Sequence, residues 1–195
     1  MAAIGSKQAS GTSERILDIA ERLVQTRGFN NFSYADIATE LGITKPSLHY
    51  HFPGKAELGL ALVTRYSARF SQALAQIDRD LPDARARLEA YSTLYADVLR
   101  GERMCVCGVL AAEYQTLPEA MRGAVIDFFD ENERWLVKLL SEGTADGTLT
   151  VAGPVADVAQ NILCTLEGAM LVARPYGGLA RFNASVSRLL AGLVT

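Results

Sequence analysis

Apolar side chains recur three and four positions apart along most of this chain, and from Lys55 onward no strand-like alternation of any length interrupts them. In the stretch ERILDIAERLVQTRG, Ile16, Ile19 with Ala20, and Leu23 with Val24 fall on one face at the helical period. Ser13 can cap that helix and Gly28 stops it. A second helix is predicted after Ser33 and a third after Thr44, both hydroxyl residues suited to a helix N-terminus, with Pro53 and Gly54 closing the unit. Further breakers stand at Leu81-Pro82-Asp83, Arg100-Gly101, Leu117-Pro118, the Gly143 to Gly153 region and Pro175 to Gly178. They leave helices at roughly 55–80, 84–100, 104–117, 119–142, 154–174 and 178–193. The pattern predicts an all-α protein. Residues 1–12, small and polar, read as a flexible arm, residues 13–58 as a small three-helix unit, and residues 59–195 as a larger helical bundle without internal repeats.

Composition narrows the class. With 195 residues, 49% of them hydrophobic, the chain can bury a substantial core. Its start lacks the apolar run of a secretory signal, and NILCTLEGAMLVA reads as too short to span a bilayer and carries Glu167, so a cytoplasmic location is expected. Three cysteines is an odd number, and Cys105 and Cys107 are too close for an easy bridge, which points to reduced thiols. The net charge of −3 supplies no global attraction for nucleic acid. Between Ser13 and Leu60, Arg15, Arg22, Arg27, Lys45 and Lys55 face Glu14, Asp18, Glu21, Asp36, Glu40 and Glu57, so any phosphate affinity there must come from placement of charge, not its sum.

The segment YADIATELGITKPSLHYHFPGK carries the candidate chemistry. On a helical wheel Ile37, Ala38 and Leu41 form the inner face of one helix, and Gly42 permits the left-handed turn that redirects the chain. Leu48 and Phe52 form one side of the next, leaving Pro46, Ser47, Tyr50 and His51 on the other. A short helix held this way can present its polar side to a DNA major groove. Ser33, Thr44 and Lys45 lie at helix N-termini suited to phosphate, Pro46 and Ser47 are small enough for close approach to base edges, and Tyr50 and His51 reach phosphate or a thymine methyl. Lys55 can add a phosphate contact. His49 and His51 are spaced as an HxH pair, but no Cys or carboxylate stands at ligand spacing in that helix, and no metal or cofactor is expected.

The run IATELGITKPSLHYHFPGKAELGLAL resembles the DNA-binding signature of the TetR family of bacterial repressors, with His49 standing where that family commonly has Tyr. The resemblance implies a homodimer holding two such modules about one DNA turn, roughly 34 Å, apart, and a bundle enclosing a small-molecule effector. For the dimer, NILCTLEGAMLVA is apolar nearly all round, and Leu179, Phe182, Val186, Leu189, Leu190 and Leu193 share a broad face of the last helix. These two helices are expected to pair with their copies. Tyr91, Tyr95, Met104, Tyr114, Met121, Phe128 and Trp135 fall mostly on inward faces, and the resemblance makes Tyr91, Tyr95, Cys105, Tyr114, Phe128, Trp135 and Glu167 the candidate effector contacts.

Glu167, a carboxylate in an apolar helix, needs a partner: Arg174, Arg188 or a group on a ligand. In RMCVCGVLAAEYQTLP a helix is predicted to open at Met104, which would turn Cys105 and Cys107 nearly opposite ways. Cys105, near a helix N-terminus and beside Arg103, is either a sensor of oxidants and soft electrophiles or a packing residue. Three functions follow: an effector- or redox-responsive repressor on a palindromic operator, a small-molecule carrier, or an enzyme acting through Cys105. No nucleophile–base set, phosphate loop or ligand cluster is legible, so the enzyme is not the expectation.

Overall fold

The computed structural model describes residues 3–193. Those residues form α1 (Ala3–Arg27), α2 (Tyr34–Leu41), α3 (Lys45–His51), α4 (Lys55–Asp80), α5 (Ala84–Arg100), α6 (Val106–Ala112), a 3₁₀ turn (Tyr114–Thr116), α7 (Glu119–Ala145), α8 (Val155–Ala173), a second 3₁₀ turn (Arg174–Tyr176) and α9 (Ala180–Ala191). No strand occurs among the described residues. Two expectations need correction. α1 begins at Ala3, so residues 3–12 of the expected arm are helical, while residues 1 and 2 lie outside the described residues. Lengthening an existing helix needs no new nucleus, and Ala, Lys and Gln offset the cost of Ser and Gly11.

The helix expected over 104–117 is shorter, α6, and opens at Val106, not Met104. Arg103 N–H bonds back to the Val98 carbonyl at 3.2 Å, with Glu102 in the left-handed region at φ 56°. That turn spends Arg103 and Met104 on closing α5. Cys105 therefore precedes the helix, so the helical period does not set its direction relative to Cys107.

The chain forms two compact units. The first comprises the residues up to Ser67 together with Val106–Val125; the second comprises Ala68–Cys105 and the chain from Ile126 onward. A single cut near residue 58 misses the α6 segment. In the first unit Ile16, Ala20 and Val24 of α1, Ile37 of α2, Leu48 of α3, and Leu58 and Leu62 of α4 are fully buried. One guanidinium ties α1 to α4: Arg65 donates to Glu14 (3.0 Å), Asp18 (2.8 Å) and Glu21 (3.0 Å), three carboxylates on successive turns.

In the second unit Tyr91, Tyr95, Phe128 and Leu136 are buried, with Leu88 of α5 and Leu166 and Met170 of α8. Together α8 and its 3₁₀ extension, Val155–Tyr176, are long and apolar enough to cross a membrane by length and composition, longer than the stretch singled out in the sequence. One face of α8 is buried through Ala159, Ile162, Leu163, Leu166, Ala169, Met170 and Ala173. Its other face leaves Leu171 64% and Val172 57% exposed, beside Tyr176 at 64%. That side is uncovered in a single chain, where the sequence pattern implied burial all round.

Candidate functional site

The first unit assembles a helix-turn-helix. Ser33 caps α2, and the Asp36 carboxylate accepts from the Ser33 N–H (2.6 Å) and hydroxyl (2.7 Å) in a capping box. These bonds hold the Asp36 carboxyl below its usual range. Gly42 ends α2 at φ 66°, and the Ile43 N–H returns to the Ala38 carbonyl at 3.0 Å, the helix-ending turn that only a residue without a Cβ adopts cheaply. Thr44 caps α3, its hydroxyl accepting the Ser47 N–H at 3.3 Å, with Pro46 in the first turn. Leu48 is fully buried and Phe52 is 8% exposed. Thr44, Lys45 and Pro46 are exposed, Ser47 and His51 half-buried, and Tyr50 is 79% exposed with its ring edge-on to His51 at 5.3 Å. The structure thus brings Thr44, Lys45, Pro46, Ser47, Tyr50 and His51 onto one open face.

Two candidates sit differently. Ser33 is committed to its cap. Lys55 Nζ donates to the Phe32 carbonyl and lies over the rings of Phe29 (4.8 Å) and Phe32 (4.3 Å). Burial lowers its pKa, while Glu113 and Asp36 counteract that shift. Its ammonium closes the core of the unit, so the phosphate contact expected of it is replaced by a structural one.

The second unit gathers Tyr91, Tyr95, Phe128, Trp135, Cys105 and Glu167. Tyr91 stacks on Trp135 (5.2 Å) and meets Tyr95 (5.4 Å); Phe70 joins Tyr95 (5.9 Å) and Phe128 (5.2 Å) edge-on. The Tyr91 hydroxyl donates to Asn132 Oδ1 at 3.0 Å and stands 3.1 Å from the Tyr95 hydroxyl. Burial pushes both phenols well above their ordinary value, so both stay neutral. The Cys105 thiol, 1% exposed, donates to Glu167. Burial pushes the Glu167 carboxyl up to about 7, the thiol bond counteracting it, and Glu167 Oε1 is buried with no hydrogen-bond partner. Neither arginine weighed for it supplies that partner. Tyr114 belongs instead to the first unit, with the Arg122 guanidinium 5.7 Å from its ring centre. An open cleft of about 480 Å³ in the second unit, lined by Leu99, Arg100, Glu102, Arg174 and the Gly177–Leu179 turn, contains none of the expected effector residues.

Residues 16–62, which span this helix-turn-helix, match the family model for bacterial regulatory proteins of the tetR family. The crystal structure of a TetR-family transcriptional regulator from Agrobacterium tumefaciens superposes with a TM-score of 0.93 at 32% identity, covering 96% of this chain and 100% of that one. The chain belongs to the TetR family. It is a transcriptional regulator of that family, built as an N-terminal helix-turn-helix followed by a helical second region. Relatives over most of this TetR-family chain include the transcriptional regulator AcuR of Cereibacter sphaeroides (28% identical, 87% of this chain, 80% of AcuR). The transcriptional repressor NemR of Escherichia coli K12 is also 28% identical, over 92% of this chain and 94% of its own length.

Several residues that shape this TetR-family helix-turn-helix escaped the sequence reading. The Tyr34 hydroxyl bonds the carbonyls of Phe52 (2.9 Å) and Gly54 (2.6 Å), joining the start of α2 to the end of α3. Burial, followed by the Glu57 charge, pushes its pKa up to about 12. His49, beside the Tyr34 ring at 4.8 Å, bonds the Pro53 carbonyl through Nδ1 at 3.0 Å, tying the end of α3 to the chain that follows it. Glu113 accepts the N–H groups of Phe29 (2.8 Å) and Asn30 (3.5 Å), and Asn30 Nδ2 donates to Thr116 (2.7 Å). Glu14, Asp18 and Glu21 were counted in the sequence only as charges; their partner Arg65 is too distant to be paired by pattern.

Proposed function

We propose that this chain is a cytoplasmic homodimeric repressor that binds a palindromic operator through α3 and releases it when an effector acts in the second unit. The observation that carries the reading is the open face of α3: Lys45, Pro46 and Tyr50 exposed around a fully buried Leu48, on a helix whose N-terminus Thr44 caps. The near-neutral charge of the segment makes Lys45 and the α3 N-terminus the phosphate contacts, and Ser47, Tyr50 and His51 the groups nearest base edges. The bare apolar face of α8 with Tyr176 supports a dimer through α8 and α9, which would cover it. Tyr91, Tyr95, Cys105, Phe128, Trp135 and Glu167 form the effector site, and the unpartnered Glu167 Oε1 supports a role beyond packing. The coupling between sites must be reciprocal, so operator DNA must weaken effector binding by the same factor.

Selection of bound sequences from a random duplex pool tests this reading. The expected result is an inverted repeat whose affinity falls steeply with salt. Leu171→Glu, at a position 64% exposed in one chain, should give a folded monomer by sedimentation and lose affinity for the full repeat. Recovery of no enriched sequence, or of asymmetric half-sites by an intact dimer, would overturn it.

A further inference from the structure

After Glu167 the chain carries no Asp or Glu but does carry Arg174, Arg181 and Arg188, so a protein of net charge −3 ends in an electropositive segment. Arg174, in the turn between α8 and α9, lines the cleft of about 480 Å³ in the second unit. The Arg181 guanidinium lies 3.7 Å from the centre of the exposed Tyr176 ring of the same turn. A second guanidinium reaches the cleft from the end of α5, where Arg100 stands with Leu99 and Glu102. Two like charges brought to one concave site from elements far apart in sequence repel each other, and an anion between them relieves that repulsion. The cleft is of a size common to small-molecule sites, about 300–1,000 Å³. We propose that it binds small organic anions, a phosphate or carboxylate group held by Arg100 and Arg174 with a short apolar body against Leu99 and Leu179.

The wall opposite α5 favours the same charge. Gly177, Gly178 and Leu179 line it, and Leu179 is the N-cap of α9, a helix that no side chain caps and whose first turn holds no acidic residue. A Cβ at Gly177 or Gly178 would meet nothing within 4 Å, so the turn leaves its backbone open to a ligand. The positive end of the α9 dipole adds to the field of the two arginines. Two carboxylates set the limits of the site. Glu102 lines the cleft, so a cation would find one carboxylate against two guanidiniums. Asp97 pairs with Arg100 one turn back on α5, with both side chains more than half exposed, 57% and 61%. Such an exposed pair is worth little and yields to a ligand that engages both guanidiniums. None of the lining residues belongs to the group assigned to the effector site, so the cleft stands as an anion site even if that assignment fails.

Calorimetric titration of the full-length protein at low ionic strength tests the site, with n-butyl phosphate, butyrate and inorganic phosphate as probes and butanol and butylamine as their uncharged and cationic counterparts. The expected result is saturable binding of butyl phosphate or butyrate, one per chain, weaker binding of inorganic phosphate, and none of butanol or butylamine. Whichever organic anion binds more tightly identifies the headgroup as phosphate or carboxylate. Arg100→Gln and Arg174→Gln should each weaken binding by about 10-fold or more, as removal of a charge-assisted hydrogen bond does. Asp97→Asn releases Arg100 and should tighten binding by about 2- to 5-fold, a gain that damage to the fold would not produce. Arg188→Gln, exposed on α9 outside the cleft, should leave the affinity unchanged. The circular dichroism of each variant must match the wild type. Absence of saturable binding by either organic anion, equal binding of butanol, or an affinity that Arg100→Gln and Arg174→Gln leave intact would overturn the proposal, as would weaker binding by Asp97→Asn.

Discussion

Adding one methyl group at Gly59 sets two effects of known size against each other. Gly59 is buried within α4, where alanine is intrinsically favoured over glycine by about 0.5–1 kcal/mol because the glycine backbone loses more freedom on folding. Against that, a Cβ there would stand 2.5 Å from Met121 Sδ, 2.7 Å from Met121 Cε and 2.8 Å from Phe29 Cε2, well inside van der Waals contact. Met121 can swing, but Phe29 cannot easily follow. Its ring lies edge-on to Phe32 at 6.0 Å and under the Lys55 ammonium, and its N–H is held by Glu113. Over-packing of this kind costs about 1–3 kcal/mol, so Gly59→Ala should lose about 0.5–2 kcal/mol net. Gly123 of α7 is the matched control: it is exposed and a Cβ there meets nothing within 4 Å, so Gly123→Ala should gain about 0.5–1 kcal/mol. Urea denaturation at one fixed protein concentration measures both, since a dimer's stability depends on concentration. In Tm the two variants should move in opposite directions by about 2–4 °C per kcal/mol. If Gly59→Ala stabilised the protein as Gly123→Ala does, the packing of Met121 and Phe29 against α4 would be refuted.

The two lysines near the recognition helix should separate cleanly. Lys45→Ala should weaken binding to all duplexes alike and reduce the slope of log affinity against log salt by about one, whereas Lys55→Ala should leave that slope intact and lower the midpoint of denaturation. Equal slopes for Lys45→Ala and the wild type would place the phosphate contact elsewhere. Glu167 predicts a pH dependence of stability. Its carboxyl titrates near 4.5 when unfolded and at about 7 when folded, so its stabilising contribution is fully present below the lower value and is lost as pH rises through the upper. The loss is on the order of 3 kcal/mol, and Glu167→Gln should be free of it. Denaturation of the two proteins at about pH 5 and about pH 8 should show the variant gaining on the wild type at the higher pH; parallel pH profiles would mean the carboxyl is solvated.

Much of the first unit was legible because its signals are local. Ser33 and Thr44 at helix starts and Gly42 at the turn act on neighbours no more than five positions away, and the wheel that buried Leu48 and Phe52 needs only the helical period. Lys55 was misplaced because the rings that receive it, Phe29 and Phe32, are more than twenty residues earlier in the chain; a lysine at a helix start looks the same whether it faces phosphate or a carbonyl. In the second unit, the clustering of Tyr91, Tyr95, Phe128 and Trp135 followed from inward-facing spacing. Tyr114 fell outside because the whole segment Val106–Val125, α6 included, packs within the first unit, a placement no helical wheel anticipates.

Read by itself, the chain determines an all-helical protein, the caps and turn of the helix-turn-helix, the polar face of α3 and the presence of one misfit carboxylate at position 167. These are consequences of periodicity and of short-range hydrogen bonding, which depend on neighbours in sequence. Tertiary structure alone decides that Glu113 holds the turn after α1, that Arg65 gathers three carboxylates, and that Glu167 meets the Cys105 thiol instead of an arginine. The reason is physical: desolvation and pairing of polar groups depend on which distant segments arrive at the same place, and the same side chain is a solvated charge or a buried base according to that arrival.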